Sequence, residues 1–395
     1  MPRNVRSGAF IMTGAGFSDR AAVRHHAIFN PHVHGARGLF SMMVFIFHVA
    51  HSNVATFDWA SDPYAVSALM ALQYGVELFF GISGIVIVGA MARSPGLGAF
   101  AWDRATRILP VLWVSIAAVL LLTLVSGGSF VPQTVWHWLG NFLPPPPFVL
   151  IPLVNPPAWS LGYEIFFYCL AALVWTWRGN PGVPALAWCG GLLLVIAFPR
   201  ALLMMPGVLI ALEILKGNRL RGLHRWPGIS LLLFLICWRL APIVEWNAVN
   251  AGNLLGPFYV AFADWLRALP LIVAGGLFGT LALVGIHEGR GMLSRLLATR
   301  PLLWLGTISY SFYLWHPMVL AVVKRGSAMI GITERVGQAG QLLLFLTALP
   351  IVLVVSWISQ RMIEVRFTRW LRRFGPAKPA GPVDRVLAAT DGDLR

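Results

Sequence analysis

Between residues 38 and 363 the sequence alternates long apolar stretches with short, mostly basic connectors, and no other feature limits the possible folds so sharply. Ten stretches can be marked, at 38–57, 69–91, 108–126, 158–177, 183–199, 201–215, 227–246, 266–286, 302–323 and 341–363. A helix needs about 20 mostly apolar residues to cross a bilayer. The chain is 57% hydrophobic and only 11% charged, against about 25% charged in soluble domains. So few charges cannot cover a water-facing surface of this size. The pattern predicts an all-α, polytopic transmembrane bundle of about ten spans. The stretches 183–199 and 201–215 are short and divided by little more than Pro199-Arg200, so nine or eleven spans stay open.

Charge sets the orientation. With a cytosolic N-terminus, the inside segments hold 24 Lys and Arg. The outside loops hold five (Arg200, Arg267, Lys324, Arg325 and Arg335), and Arg239 falls within a span. Basic residues gather on the cytosolic side of membrane proteins, so both termini are expected there. The net charge of +15 then reflects topology and contact with anionic lipid, not a nucleic-acid groove. Residues 1–32 read as a cytosolic arm without the apolar core of a cleavable signal peptide. Residues 33–365 form the membrane domain, and 366–395 a basic, then Pro/Ala/Gly-rich, cytosolic tail. Residues 127–157 contain Pro144-Pro145-Pro146-Pro147, which blocks a helix, so this outer segment is a stiff loop that either stays outside or dips back into the bundle. A second long outer loop covers 247–265. Cys169, Cys189 and Cys237 lie in apolar runs with neither disulfide nor metal spacing, and nothing calls for a metal.

Ionisable side chains at membrane depth are costly and are functional candidates by default. Five segments carry them. In the first, Arg37 and His48 stand eleven positions apart, about 16 Å along a helix and on nearly one face. Arg37 at the cytosolic edge suits an anionic head group, and a neutral His48 at depth can take a proton. The bland alternative is a topogenic arginine and a packed histidine. In the second, Glu77 is the only carboxylate of its span; it either orients an imidazole or sits buried and protonated, while Gly81 and Gly84 suit close packing. In the third, Arg104 and Arg107 share a face at i and i+3 and either pinch one phosphate or simply mark the inside. In the fourth, Ser160, Glu164 and Tyr168 form a stripe that begins at the outer face, where a hydroxylated acceptor would arrive. In the fifth, Ser309, Tyr313 and His316 share a face at i, i+4 and i+7, with His316 either a second proton relay or a rung in an interhelical hydrogen-bond ladder.

Taken in order, these five segments resemble the acyltransferase 3 family of integral membrane proteins, over roughly residues 33–365. The resemblance rests on Arg37-x10-His48, the block Gly75-Val76-Glu77-Leu78-Phe79-Phe80-x-Ile82-Ser83-Gly84, Arg104-x-x-Arg107, Trp159-Ser160-Leu161-x-x-Glu164 ending at Tyr168, and Ser309-Tyr310-Ser311-x-Tyr313-Leu314-Trp315-His316. It implies that Arg37 and His48 are essential and that Arg104 and Arg107 help to hold acyl-CoA on the cytosolic side. It also implies that acyl-CoA, most often acetyl-CoA, is a donor co-substrate rather than a resident cofactor. The acceptor would be a hydroxyl of a cell-surface or exported carbohydrate, and the location the bacterial inner membrane. One departure stands out: the family usually carries Asp three residues before the first arginine, and this chain has His34.

The resemblance implies a mechanism. Phosphates meet Arg37, Arg104 and Arg107, the thioester reaches towards His48, and His48 either deprotonates the acceptor or carries the acyl group itself. Glu77 or Glu164 would fix the imidazole, and the hydroxyls of Tyr168, Tyr313, Ser160 and Ser309 would line the acceptor site. The rival classes are a multi-pass polysaccharide or lipid-linked sugar exporter, and a sensor or structural membrane protein. The first would show inverted repeats, which the span pattern lacks; the second leaves the buried His–Arg–Glu set unused. Oligomeric state is not legible.

Overall fold

The computed structural model describes residues 29–52, 62–126, 134–146, 149, 151–176, 182–220, 222–241, 262–332 and 339–376. All regular structure among them is helical, and each of the ten expected apolar stretches overlaps a helix. In chain order these are α1 (Pro31–Ala50), α2 (Pro63–Arg93), α3 (Leu97–Val125), the short α4 (Val135–Phe142), α5 (Ala158–Thr176), α6 (Gly182–Ala197), α7 (Pro199–Ala211), α8 (Pro227–Leu240), α9 (Phe262–His287), the short α10 (Gly291–Leu297), α11 (Arg300–Met329) and α12 (Gly340–Phe374). Six of the described helices are both long and apolar enough to cross a membrane: α1, α2, α3, α5, α9 from Leu266, and α12. The chain is a multi-pass membrane protein.

Several boundaries differ from the hydropathy reading. α1 begins at Pro31, before the expected 38, because Asn30 caps it through His32 N and Val33 N at 3.0 and 3.1 Å and Pro31 occupies the first helical position. Arg37 therefore sits on a helix, two turns in. The expected extension of this span to 57 falls partly on 53–61, outside the described residues, as does most of the 247–265 loop. α12 runs to Phe374 and passes through a wider, π-helical stretch at Gln360–Phe367, so the tail boundary expected at 366 lies inside a helix.

Helix directions can be read from paired side chains. Moving up α1 through His34, Arg37, Phe45 and His48 meets Thr307, Ser309, Phe312 and His316 in ascending order, so α1 and α11 run parallel. Against α12 the order reverses: Ser311 meets Glu364 and Trp315 meets Ser359. Thr368 Oγ1 donates to the Thr106 carbonyl at 2.8 Å, which brings the start of α3 to the same end. Arg37, Arg107 and Arg372 thus share one end of the bundle. At the other end, Gln341 Nε2 donates to Ala50 O at 3.0 Å and Arg325 to Ser126 O at 3.2 Å.

Two glycine contacts make this packing possible. A Cβ on Gly306 would collide with the His34 carbonyl, and one on Gly38 would stand 2.6 Å from the Leu302 carbonyl. Without side chains there, α1 and α11 touch backbone to backbone. A second contact of this kind, between Gly84 and Gly207, joins α2 to α7.

The proline loop does dip into the bundle. Asn155 is buried, and its Nδ2 donates to Ser115 Oγ of α3 at 2.8 Å and to the Leu314 carbonyl of α11 at 3.2 Å. Asn141 staples the loop by donating to Pro152 O at 2.9 Å and accepting from Val154 N at 2.8 Å. Polar backbone among apolar helices is tolerated only where protein satisfies it, and Asn141 does so for Pro152 O and Val154 N.

Candidate active site

α1 and α11 present the central pair. His48 Nδ1 lies 2.8 Å from the Val44 carbonyl, and His316 Nδ1 lies 3.2 Å from the Phe312 carbonyl. A carbonyl only accepts, so each Nδ1 carries a proton. The His316 lone pair is then on Nε2, which stands 3.3 Å from His48 Nδ1. His48 shares its Nδ1–H between Val44 and His316, and its own lone pair falls on Nε2. A neutral ring with an assigned lone pair can accept a proton or attack a carbonyl carbon. His316 is buried in a cage of Phe45, Phe312 and Tyr313, with ring centroids 6.0–6.4 Å away. Pro317, the next residue, removes the helical donor for the Tyr313 carbonyl and loosens the backbone at this turn.

At the arginine end a cavity of about 290 Å³ is lined by Arg37 and His34 from α1, Arg107 from α3, Thr307 and Tyr310 from α11, and Glu364, Thr368 and Arg372 from α12. Arg37 is aimed by its Nε–H, which donates to Ser309 Oγ at 3.2 Å. Tyr310 marks the deep wall and donates to the Ile108 carbonyl at 2.6 Å. The cation-rich lining suits phosphate groups. His48 and His316 are not part of this lining; they lie deeper along the α1–α11 seam.

The expected site residues divide into several groups. Arg37 meets Ser309, and His48 meets His316. Tyr313 donates to Ser160 Oγ at 3.0 Å. The three residues of the α11 stripe therefore each reach a different partner, and α11 is the hub of the polar interior. Glu164 accepts from Ser83 Oγ at 2.7 Å and from the Tyr168 hydroxyl. These residues form a polar seam among α2, α5 and α11 and are not in the cavity lining.

Two expectations are corrected. Arg104 and Arg107 do not both line the cavity, as their shared helix face suggested. Arg107 is exposed and lines the cavity, while Arg104 is buried and donates to Asp103 at 2.9 Å. A helix turns by about 100° per residue, so i and i+3 differ enough in direction for a neighbouring carboxylate to claim one of them. Glu77 does not touch either imidazole through a described hydrogen bond. It pairs with Arg200, which hydropathy placed in an outer loop but which is buried on the Pro199–Ala201 turn at the start of α7. The Arg200 guanidinium also lies 4.4 Å from the centre of the Trp159 ring. A buried cation needs a buried counter-charge, and Glu77 provides it.

Three participants went unnoticed in the sequence. Arg200 was hidden among loop charges. Glu364 stood at the ragged end of the last apolar stretch, where it accepts from Ser311 N at 3.2 Å and Ser311 Oγ at 2.5 Å. Asn155 offered no signal beyond its place after the prolines.

Comparisons with known proteins show what the chain is similar to. The acyltransferase domain family matches residues 30–361. Peptidoglycan O-acetyltransferase OatA of Listeria monocytogenes serovar 1/2a is 24% identical over 347 residues, covering 77% of this chain and 51% of the relative. Exopolysaccharide production protein ExoZ of Rhizobium meliloti is 29% identical over 281 residues, covering 65% of this chain and 80% of the relative. Nodulation protein 10 of Rhizobium leguminosarum bv. viciae is 43% identical over 54 residues, 14% of this chain and 15% of the relative. The chain thus spans about half the length of OatA. No solved structure matches it.

Proposed function

The chain belongs to the acyltransferase domain family, which matches it from residue 30 to 361, and from that premise we propose that it is a membrane O-acyltransferase working at the bacterial inner membrane. It moves an acyl group, acetyl in the first instance, from acyl-CoA to a hydroxyl of a cell-surface or exported polysaccharide. The names of two relatives, a peptidoglycan O-acetyltransferase and an exopolysaccharide production protein, support that acceptor class. In this reading about ten helices span the bilayer, both termini are cytosolic and the arginine-lined cavity opens to the cytosol, which the charge asymmetry supports.

The observation that carries the reading is the His48–His316 pair at 3.3 Å, set on the same two parallel helices that bring Arg37 to the cavity. Donor phosphates bind at Arg37 and Arg107, with Arg104 behind them on Asp103. The pantetheine arm follows the α1–α11 seam to His48, about 16 Å along α1 from Arg37. His48 Nε2 takes the acceptor proton as the hydroxyl oxygen attacks the thioester carbon; the C–S bond breaks, and the imidazolium returns the proton to the leaving thiolate. The same lone pair would serve if the acyl group first rests on the ring. The Val44 carbonyl holds the tautomer, and His316 Nε2 steadies the ring as a second, longer acceptor. The hydroxyl of Tyr313, which donates to Ser160 Oγ at 3.0 Å, would turn its hydrogen to the developing oxyanion.

The test is thiol release from acyl-CoA by the purified protein in proteoliposomes with a polysaccharide acceptor. His48→Ala at equal protein level is expected to lower it by about 10²–10⁴-fold, the usual worth of a positioned general base. Undiminished release in that variant removes the assignment. Wild-type protein that moves polysaccharide without releasing thiol would be an exporter instead.

A further inference from the structure

The cavity at the arginine end has a wall that the family match does not reach. The match ends at residue 361, yet Glu364, Val365, Thr368 and Arg372 all line the cavity. This wall is built, not incidental. Thr368 Oγ1 donates to the Thr106 carbonyl at 2.8 Å, one residue before Arg107. Arg372 pairs with Asp103 at 2.9 Å. The π-helical turn over Gln360–Phe367 adds a residue to the helix ladder and re-aims the last turns of α12, a device often found at functional sites.

Charge makes this wall consequential. Arg372 shares Asp103 with Arg104 and is only part-matched, while among the described residues Arg37, Arg107 and Glu364 line the cavity with no ion pair within 4 Å. The carboxylate of Glu364 is held back by Ser311, through the backbone N–H at 3.2 Å and Oγ at 2.5 Å. Ser311 Oγ also meets Ser359 Oγ at 2.9 Å, which fixes its orientation. Glu364 is therefore pinned in the cavity wall, facing the region that two guanidinium groups make attractive to anions.

We infer that Glu364 is a resident counter-ion of this cavity: pinned by Ser311, it offsets part of the Arg37 and Arg107 charge and limits how tightly a phosphate-bearing ligand is held. This rests on the reading of the cavity as the donor phosphate site. The consequence falls on release. The acyl donor and the spent thiol carry the same phosphates, so an undiluted arginine pair would hold the product as firmly as the substrate. A fixed carboxylate lowers both affinities and speeds release. It is a positioning and affinity-setting residue and takes no part in bond making.

The experiment uses the full chain in lipid nanodiscs and measures binding of CoA, pantetheine and inorganic pyrophosphate by calorimetry at several salt concentrations. Glu364→Gln keeps an acceptor for Ser311 but removes the charge. CoA and pyrophosphate are expected to bind about tenfold tighter, the order of one unit charge acting across a wet cavity, with a steeper salt dependence. Glu364→Asp is expected to stay near wild type. Product inhibition by CoA should strengthen in the Gln variant while kcat falls. Unchanged or weaker CoA and pyrophosphate binding in Glu364→Gln would overturn the inference. If that variant does not fold, Ser311→Ala releases the carboxylate towards the arginines and should weaken CoA binding several-fold; an unchanged constant there overturns it equally. A wild-type protein that prefers CoA no more than pantetheine would refute the donor reading alone. Tighter pyrophosphate binding in the Gln variant would still uphold the counter-ion.

Discussion

Replacing His316 by Phe separates the two histidines. The substitution keeps an aromatic ring in the cage of Phe45, Phe312 and Tyr313, so packing changes little. It removes the Nε2 acceptor that stands 3.3 Å from His48 Nδ1. His48 keeps its shorter bond to the Val44 carbonyl at 2.8 Å, and that bond alone holds the proton on Nδ1 and the lone pair on Nε2. The loss is therefore one secondary, neutral hydrogen bond, worth about 1 kcal/mol, or about fivefold in rate. His48→Ala removes the reacting lone pair itself and should cost about 10²–10⁴-fold. The assay is single-turnover thiol release from acyl-CoA in proteoliposomes, with protein matched by in-gel quantitation and folding checked by gel filtration. If His316→Phe is as inactive as His48→Ala while folded, then His316 itself carries a proton or the acyl group, and the positioning argument fails. A Gln at 316, which offers an acceptor oxygen, should fall between wild type and Phe.

The same geometry sets further outcomes. Arg200→Met strands Glu77, whose side chain is fully buried, and should destabilise the protein by about 3–5 kcal/mol in SDS-induced unfolding. Adding Glu77→Leu should recover most of that loss, and a double variant no more stable than Arg200→Met would show that the pair is not coupled. Arg107→Ala should raise the apparent KM for acyl-CoA by about tenfold or more, as expected for one lost charge-assisted contact. Arg104→Ala, by contrast, should chiefly lower folded yield, because it leaves Asp103 short of a partner; identical kinetic profiles for the two would refute the division between them. Gly306→Leu should abolish both folding and activity, since its side chain has no room against the His34 backbone; normal behaviour would mean that α1 and α11 do not meet there.

Composition and residue order along the chain were enough for the class of fold and the short list of chemistry. Ten apolar stretches and few charges leave lipid as the only workable solvent, and side chains that lipid penalises stand out whatever their partners. That is why Arg37, His48, Glu77, Glu164 and His316 were legible before any geometry. Partnership was not. Whether Glu77 serves a histidine or an arginine depends on which helix packs beside α2, and the answer, Arg200, comes from 123 positions away. Arg104 and Arg107 look equivalent along the chain, yet Asp103 claims one and the cavity takes the other. The start of α1 was written in Asn30-Pro31, but hydropathy does not register a cap. Glu364 could not be found at all by the spacing of residues, because its role exists only where the end of α12 folds back beside Arg37 and Arg107. Periodicity and polarity act along one chain, and so the sequence carries them; a counter-charge or a shared proton depends on distance across helices, which only close packing sets.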